Sequence, residues 1–328
     1  MQTVLGANLS VHDLTPRSRV MHPMKGPMVT QTLRGMAGAA PFHWRGDKAR
    51  LQDFNPTFSK LMGGSQIDAE DMDALVAYLE TLRHHPNPNR NLDRSLPTSF
   101  GNGNPVSGRN MFNDHLKSHC ITCHALPTGS DNNIDLQQEV GSTQPLKTPQ
   151  LRTTYQRLFF SPNTGSTSIT GFGLLHDGTG GENFLPTVHP YVLDNLNTQQ
   201  EFNDVASFVL CFDTGTAPVV GFSVTLTSLN SADSQVLADV ATLEARASAA
   251  DCDLVVRGVV SGVARNYLFN KTSQTYRADR AAEGSITRAA LLAGLTATDA
   301  VTFLGVMPGA GQRLGGDVDL DTVLDGDD

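Results

Sequence analysis

The sequence predicts a mainly α fold, with helical domains followed by a small α+β domain at the C-terminal end. Three observations carry this. Apolar stripes of helical period flank a C-x-x-C-H pentad at Cys120–His124, a self-similar pair of segments spans the first two-thirds of the chain, and apolar alternation begins only beyond residue 218. At 328 residues the chain is long enough for two or three domains. Its 33 acidic and 24 basic side chains give a formal charge of −9, which argues against a general nucleic-acid binder. No apolar run approaches the roughly 18 residues of a membrane span.

The first predicted unit covers 1–92. Thr30-Gln31-Thr32-Leu33-Arg34 is followed by Phe42-His43-Trp44-Arg45-Gly46-Asp47 and then by a helix over Met72 to Leu82. The second unit, 93–217, repeats the plan. Thr148-Pro149-Gln150-Leu151-Arg152 precedes Leu175-His176-Asp177-Gly178, and a helix runs from Thr198 to Phe212. That helix opens on a capping box, Thr198 to Glu201, and carries Phe202, Val205, Phe208, Val209 and Phe212 on one stripe. A second helical pattern starts at Gly108, with Met111, Phe112, His115 and Leu116 on its apolar side. The Gly/Ser/Thr-rich stretch between Leu158 and Gly173 reads as a surface loop.

Between these helices stands Cys120-Ile121-Thr122-Cys123-His124, the attachment signature of c-type haem. Two thiols three positions apart can each form a thioether to one vinyl group, and the next imidazole then lies under the iron as axial ligand. Half of a zinc site is the other reading, but no second C-x-x-C or H-x-H is present to complete four ligands. The first unit lacks such a pentad, so residues 1–92 look like the back half of a cytochrome c-like unit whose whole form is 93–217.

A pentad followed by Leu-Arg, by His-Asp-Gly or His-x-x-Gly, and by an amphipathic helix resembles the bacterial di-haem cytochrome c peroxidase family and relatives such as MauG. The resemblance covers about residues 20–220. It implies two all-α cytochrome c domains, one haem transferring electrons and the other reducing peroxide. Here only one pentad is present. Met1 to Arg19 also lacks a basic region followed by an apolar stretch, so the chain reads as the C-terminal part of a longer exported polypeptide or as a coding sequence begun too late.

The sixth iron ligand separates a carrier from a catalyst, because only an open position admits peroxide. His176 is the first candidate and His189 the second; no Met lies between His124 and Met307. In the first unit the resemblance makes Met62 a ligand for a haem attached upstream, with His43 the counterpart of His176. It also implies that Arg34 and Arg152 approach haem carboxylates or peroxide; a solvated Arg is the alternative. His12, His22, His84, His85, His115 and His119 read as surface residues.

In 218–328, strands are predicted at Gly221–Leu229 and Ala300–Val306, helices at Ser234–Ala249 and Ser285–Leu295, and a hairpin pairing Asp253–Val263 with Tyr267–Tyr276. Cys211 and Cys252 form a disulfide or remain two buried thiols. The tail holds Asp317, Asp319, Asp321, Asp325, Asp327 and Asp328 against Arg313. Its D-x-D-x-D start resembles calcium loops, although Thr322 stands where such a loop has Gly and no Glu occupies its twelfth place; a solvated acidic tail is the alternative.

The expected function is therefore a c-type cytochrome that binds one covalent haem c per chain and transfers electrons in an exported redox system. The alternative is a di-haem peroxidase-like oxidoreductase using hydrogen peroxide, its second haem upstream or on a partner chain. A calcium-stabilised binding module with haem as a structural staple is the third reading. Other redox proteins or haem domains are the expected partners, in the periplasm or at the cell surface.

Overall fold

A computed structural model describes residues 26, 28–137, 139–140, 142, 144–158, 173–178 and 195–328. Contacts divide the chain into two units: residues up to 85 together with 96–215, and residues 86–95 together with 216–328.

The first unit holds two apolar clusters. In the first, a 3₁₀ turn (Leu51–Phe54), α1 (Asn55–Lys60) and α2 (Ala69–Thr81) enclose Ala39, Phe42, Leu51, Met72 and Val76. Asp68 caps α2 by accepting from the Asp71 N–H at 2.9 Å. The second cluster forms where α3 (Pro105–Phe112) crosses α5 (Gln199–Leu210). Pro105 at the first helical position and the Asn104 cap start α3. The expected Thr198–Glu201 capping box starts α5. A Cβ at Gly108 would fall 1.9 Å from the Asp204 carbonyl oxygen, so only glycine lets the two backbones meet there. Phe112 fills the angle, with ring centroids 5.1 Å from Phe208 and 6.4 Å from Phe212. Between the helices lie the single turn α4 (Cys120–Cys123) and the pair β1 (Ile134–Asp135) and β2 (Leu146–Lys147).

The second unit is a six-stranded antiparallel sheet in the order β3-β8-β4-β5-β6-β7, formed by Ser223–Thr227, Ala300–Val306, Asp253–Val260, Val263–Asn270, Thr275–Ala278 and Ser285–Ile286. The helices α6 (Ser234–Ser248), α7 (Arg288–Ala293) and α8 (Gly311–Gly315) accompany it. Leu226, Val240, Leu243, Leu254, Tyr276 and Phe303 are fully enclosed in its core. Segment 86–95 belongs to this unit: Leu92 packs on its core and Arg94 pairs with Asp251.

These findings correct the fold class. Helix makes up 30% and strand 16%, so the fold is α+β rather than mainly α. The sheet is larger than foreseen, and the first unit spends more of its length in turns than in helix. Element ends shift too. The pattern from Gly108 stops as a helix at Phe112, where Asn113 caps it, and Leu116 is 80% exposed in the following turn. The predicted hairpin breaks at Ser261-Gly262, both at positive φ, so Tyr276 falls in β6 rather than in the partner of β4. Cys211 and Cys252 are not joined by a disulfide, and each is buried in the core of its own unit. The Leu158–Gly173 loop lies almost wholly outside the described residues.

The α3–α5 contact yields a stability prediction. A Gly108→Val variant must push apart two packed backbones, so unfolding in denaturant is expected to show a loss of about 2 kcal/mol; a midpoint equal to the parent's would show that the helices do not meet at Gly108.

Candidate functional site

The pentad forms one helical turn. His119, with φ 54°, reverses the chain immediately before α4, and the His124 N–H closes the turn on the Cys120 carbonyl at 2.9 Å. Residues three apart on such a turn share a face, so Cys120 and Cys123 project to one side. Cys120 joins the cluster of Phe112, Phe208 and Phe212, while Cys123 is half-buried. Burial raises both thiols. For Cys123, burial followed by the carboxylates of Asp135, Asp131 and Glu139 pushes it up to about 11.

His124 follows as the cap residue. Its Nδ1 lies 2.7 Å from the Gly129 carbonyl oxygen, an acceptor, so Nδ1 carries the proton and Nε2 carries the lone pair. Burial holds this imidazole below its ordinary value, against the opposing Gly129 bond, so it is neutral at pH 7. Gly129 has φ 73°, and a Cβ there would strike Leu151 at 2.6 Å. That glycine lets the Leu151–Gln156 turn close over the loop carrying the carbonyl.

A second site is a cavity of 720 Å³. The two repeat copies meet in it: Arg34, His43 and Arg45 come from the first, Lys147, Gln150 and Arg157 from the second; the three arginines and Lys147 make the wall basic, and the uncharged His84 imidazole also lines it. Among the described lining residues Asp47 is the one carboxylate, and it accepts from His43 at 3.0 Å. Trp44 joins the copies. Its indole N–H donates to the Val29 carbonyl, its own carbonyl accepts from the Lys147 N–H, and the Arg157 guanidinium lies 5.1 Å from its ring. Burial lowers Arg45 and Arg157 and pushes Lys147 down to about 8.

The remaining expected residues are placed as follows. His176 is half-buried with its ring centroid 6.5 Å from that of Trp44, and among the described residues no hydrogen bond or ring contact links it to His124. His189 lies outside the described residues. Arg152 is partly buried, its guanidinium over Gly215 and within the field of Asp213. Met62 is 71% exposed. The carboxylates of Asp317, Asp319 and Asp321 come within 4.8 Å of one another.

His84 requires a correction. It is 6% exposed rather than on the surface, and burial, then the positive charge of Arg152, pushes it down to about 4. The sequence held no sign of this, since the His84-His85 pair sits beyond a helix end in a polar stretch. Trp44, the single tryptophan, could have been flagged by its place beside His43. No family model, curated protein or solved structure matches this chain. Among the described residues, no helix is long and apolar enough to cross a membrane.

The buried His84 sets a pH dependence. Between pH 6.5 and about 4 the unfolded chain binds a proton at this residue that the folded chain does not, so stability falls as pH falls through that window. At 1.36 kcal/mol per pH unit the loss is at most about 3 kcal/mol. Denaturant melts of the parent and of His84→Leu at pH 7 and pH 4.5 should differ in slope, the variant losing less; parallel slopes would remove His84 as the cause.

Proposed function

We propose that this chain is a c-type cytochrome that holds one covalent haem through Cys120 and Cys123, takes His124 as proximal iron ligand, and transfers electrons in an exported redox system. The observation that carries the reading is the His124 imidazole: neutral, half-buried, and fixed by Gly129 in the tautomer that offers Nε2 to a metal, next to two cysteines on one face of a turn. A ligating histidine ordinarily donates its other N–H to such a carbonyl, which sets the ring's orientation and raises its basicity. The residues present therefore fit the group. When bound, haem supplies a one-electron iron couple. The chain's own part is to anchor, orient and exclude water, the last through the apolar cluster of Phe112, Phe208 and Phe212 beside Cys120.

One observation favours a second reading, a di-haem peroxidase-like oxidoreductase whose other haem is attached upstream or on a partner chain. The cavity is lined by the residues that the repeat makes equivalent to the haem unit, and its basic wall suits the carboxylates such a group carries. Under this reading His43 and Arg34 face the second haem and Arg152 the first.

The chain, exported with a haem-maturation system, is expected to gain the mass of one haem, to show a reducible low-spin band, and to remain unchanged in hydrogen peroxide. A Cys120→Ala/Cys123→Ala variant should keep the bare polypeptide mass. A colourless parent rejects both readings, whereas peroxide turnover after addition of an upstream haem domain selects the second.

A further inference from the structure

The C-terminal acidic loop lies in the second unit and takes no part in the proposed electron transfer. Asp317, Asp319, Asp321, Asp325 and Asp328 occupy places 1, 3, 5, 9 and 12 counted from Asp317, the places that supply side-chain ligands in twelve-residue calcium loops. The first three carboxylates converge within 4.8 Å. A converging acidic group is common on protein surfaces, and a buried atom distinguishes this one. Asp317 is 3% exposed. Its Oδ2 accepts from the Thr322 N–H at 3.3 Å and from the Gln312 amide at 3.4 Å, while Oδ1 is buried with no hydrogen-bond partner among the described residues. An ionised oxygen in that position bears its full desolvation cost unless a cation meets it.

The surrounding bonds hold the loop closed. The Asp325 N–H donates to the Gly316 carbonyl at 2.9 Å, and Asp325 Oδ1 accepts from the Val318 N–H at 2.7 Å. Asp327, at a place without a ligand role, instead accepts from the Ala281 N–H at 2.7 Å and pins the loop to the unit. Thr322 takes the left-handed conformation, φ 82°, that such loops usually give to glycine at the sixth place, which removes the sequence objection to it. Asp328 fills the twelfth place with a shorter carboxylate than the usual Glu.

We infer that Asp317, Asp319 and Asp321, joined by Asp325 and Asp328, form a binding site for a calcium ion. Three converging carboxylates, with Asp325 and Asp328 at the ninth and twelfth places of the same loop, suit a large cation with six to eight oxygen ligands, and magnesium's strict octahedron suits them less.

Calorimetry with CaCl₂ on the chelator-treated full chain tests this. One calcium is expected per chain, with a dissociation constant on the order of 10⁻⁴ M, as in extracellular modules, and MgCl₂ at least about tenfold weaker. The exposed pair Asp319→Asn/Asp321→Asn should keep its far-ultraviolet circular dichroism and lose at least about tenfold in calcium affinity; Asp317→Asn should lose as much. No binding up to about 10 mM CaCl₂, or equal affinity in parent and double variant, overturns the site. Magnesium binding as tight as calcium overturns the choice of ion. None of these outcomes depends on haem.

Discussion

The crossing of α3 over α5 is the contact on which the rest of the first unit depends. Gly108 allows backbone to touch backbone, Phe112 locks the angle against Phe208 and Phe212, and polar bonds guard both ends. Asp204 accepts from the Asn104 N–H at 2.8 Å, and Lys117 pairs with Glu201 at 2.8 Å. The pentad is tied to this crossing by a short link. Ser118, fully buried, donates to the Met111 carbonyl at 2.8 Å, and one residue later the chain reverses into α4. The position of Cys120 in the apolar cluster follows from the helix pair, because the link between them has no slack.

Electrostatics divides the first unit into two environments. Around Cys123 the charges are negative, from Asp131, Asp135 and Glu139. In the cavity they are positive, and burial acts on Arg45, Lys147 and Arg157 in the direction that disfavours their charge. The Arg157–Trp44 contact and the bond from Lys147 to the Ala39 carbonyl offset part of that cost. Holding cations together around an open volume is unfavourable for the chain alone, and the same arrangement lowers the energy of an anionic group placed there. This is why the cavity bears on the choice between one haem and two.

Local signals were legible in the sequence and long-range ones were not. Capping at Thr198, the period-3.6 stripe of α5, the pentad turn and the strands flanking α6 all follow from neighbouring residues. Helix content was overread because apolar spacing at Met111, Phe112, His115 and Leu116 fits a helix, while Asn113 and Asp114 cap and turn the chain. The expected hairpin turn at 264–266 differs from the observed turn at Ser261-Gly262 because the Val259, Val260 and Val263 run continues the strand pattern across a short Ser-Gly signal. The meeting of the two copies at Trp44, and the burial of His84 under Arg152, arise from tertiary packing between segments over 60 residues apart. No spacing rule encodes them.

The chemistry of the cysteines bears on the choice between the haem attachment proposed above and the other use of a C-x-x-C turn, thiol–disulfide exchange. Exchange needs a thiolate, and exchangers lower the thiol's pKa with a helix N-terminus or neighbouring cations. Here the turn is too short for a useful dipole, and burial, followed by the neighbouring carboxylates, pushes Cys123 up to about 11. At pH 7 that leaves only about one molecule in 10⁴ as thiolate, and Cys120, buried in the apolar cluster, is shifted the same way. Thioether formation instead adds the whole S–H across a double bond, so a neutral thiol is a competent form. The surroundings that make these residues poor exchange thiols leave that addition open to them, and the neutral His124 beside them turns a lone pair on Nε2 away from its Gly129 bond.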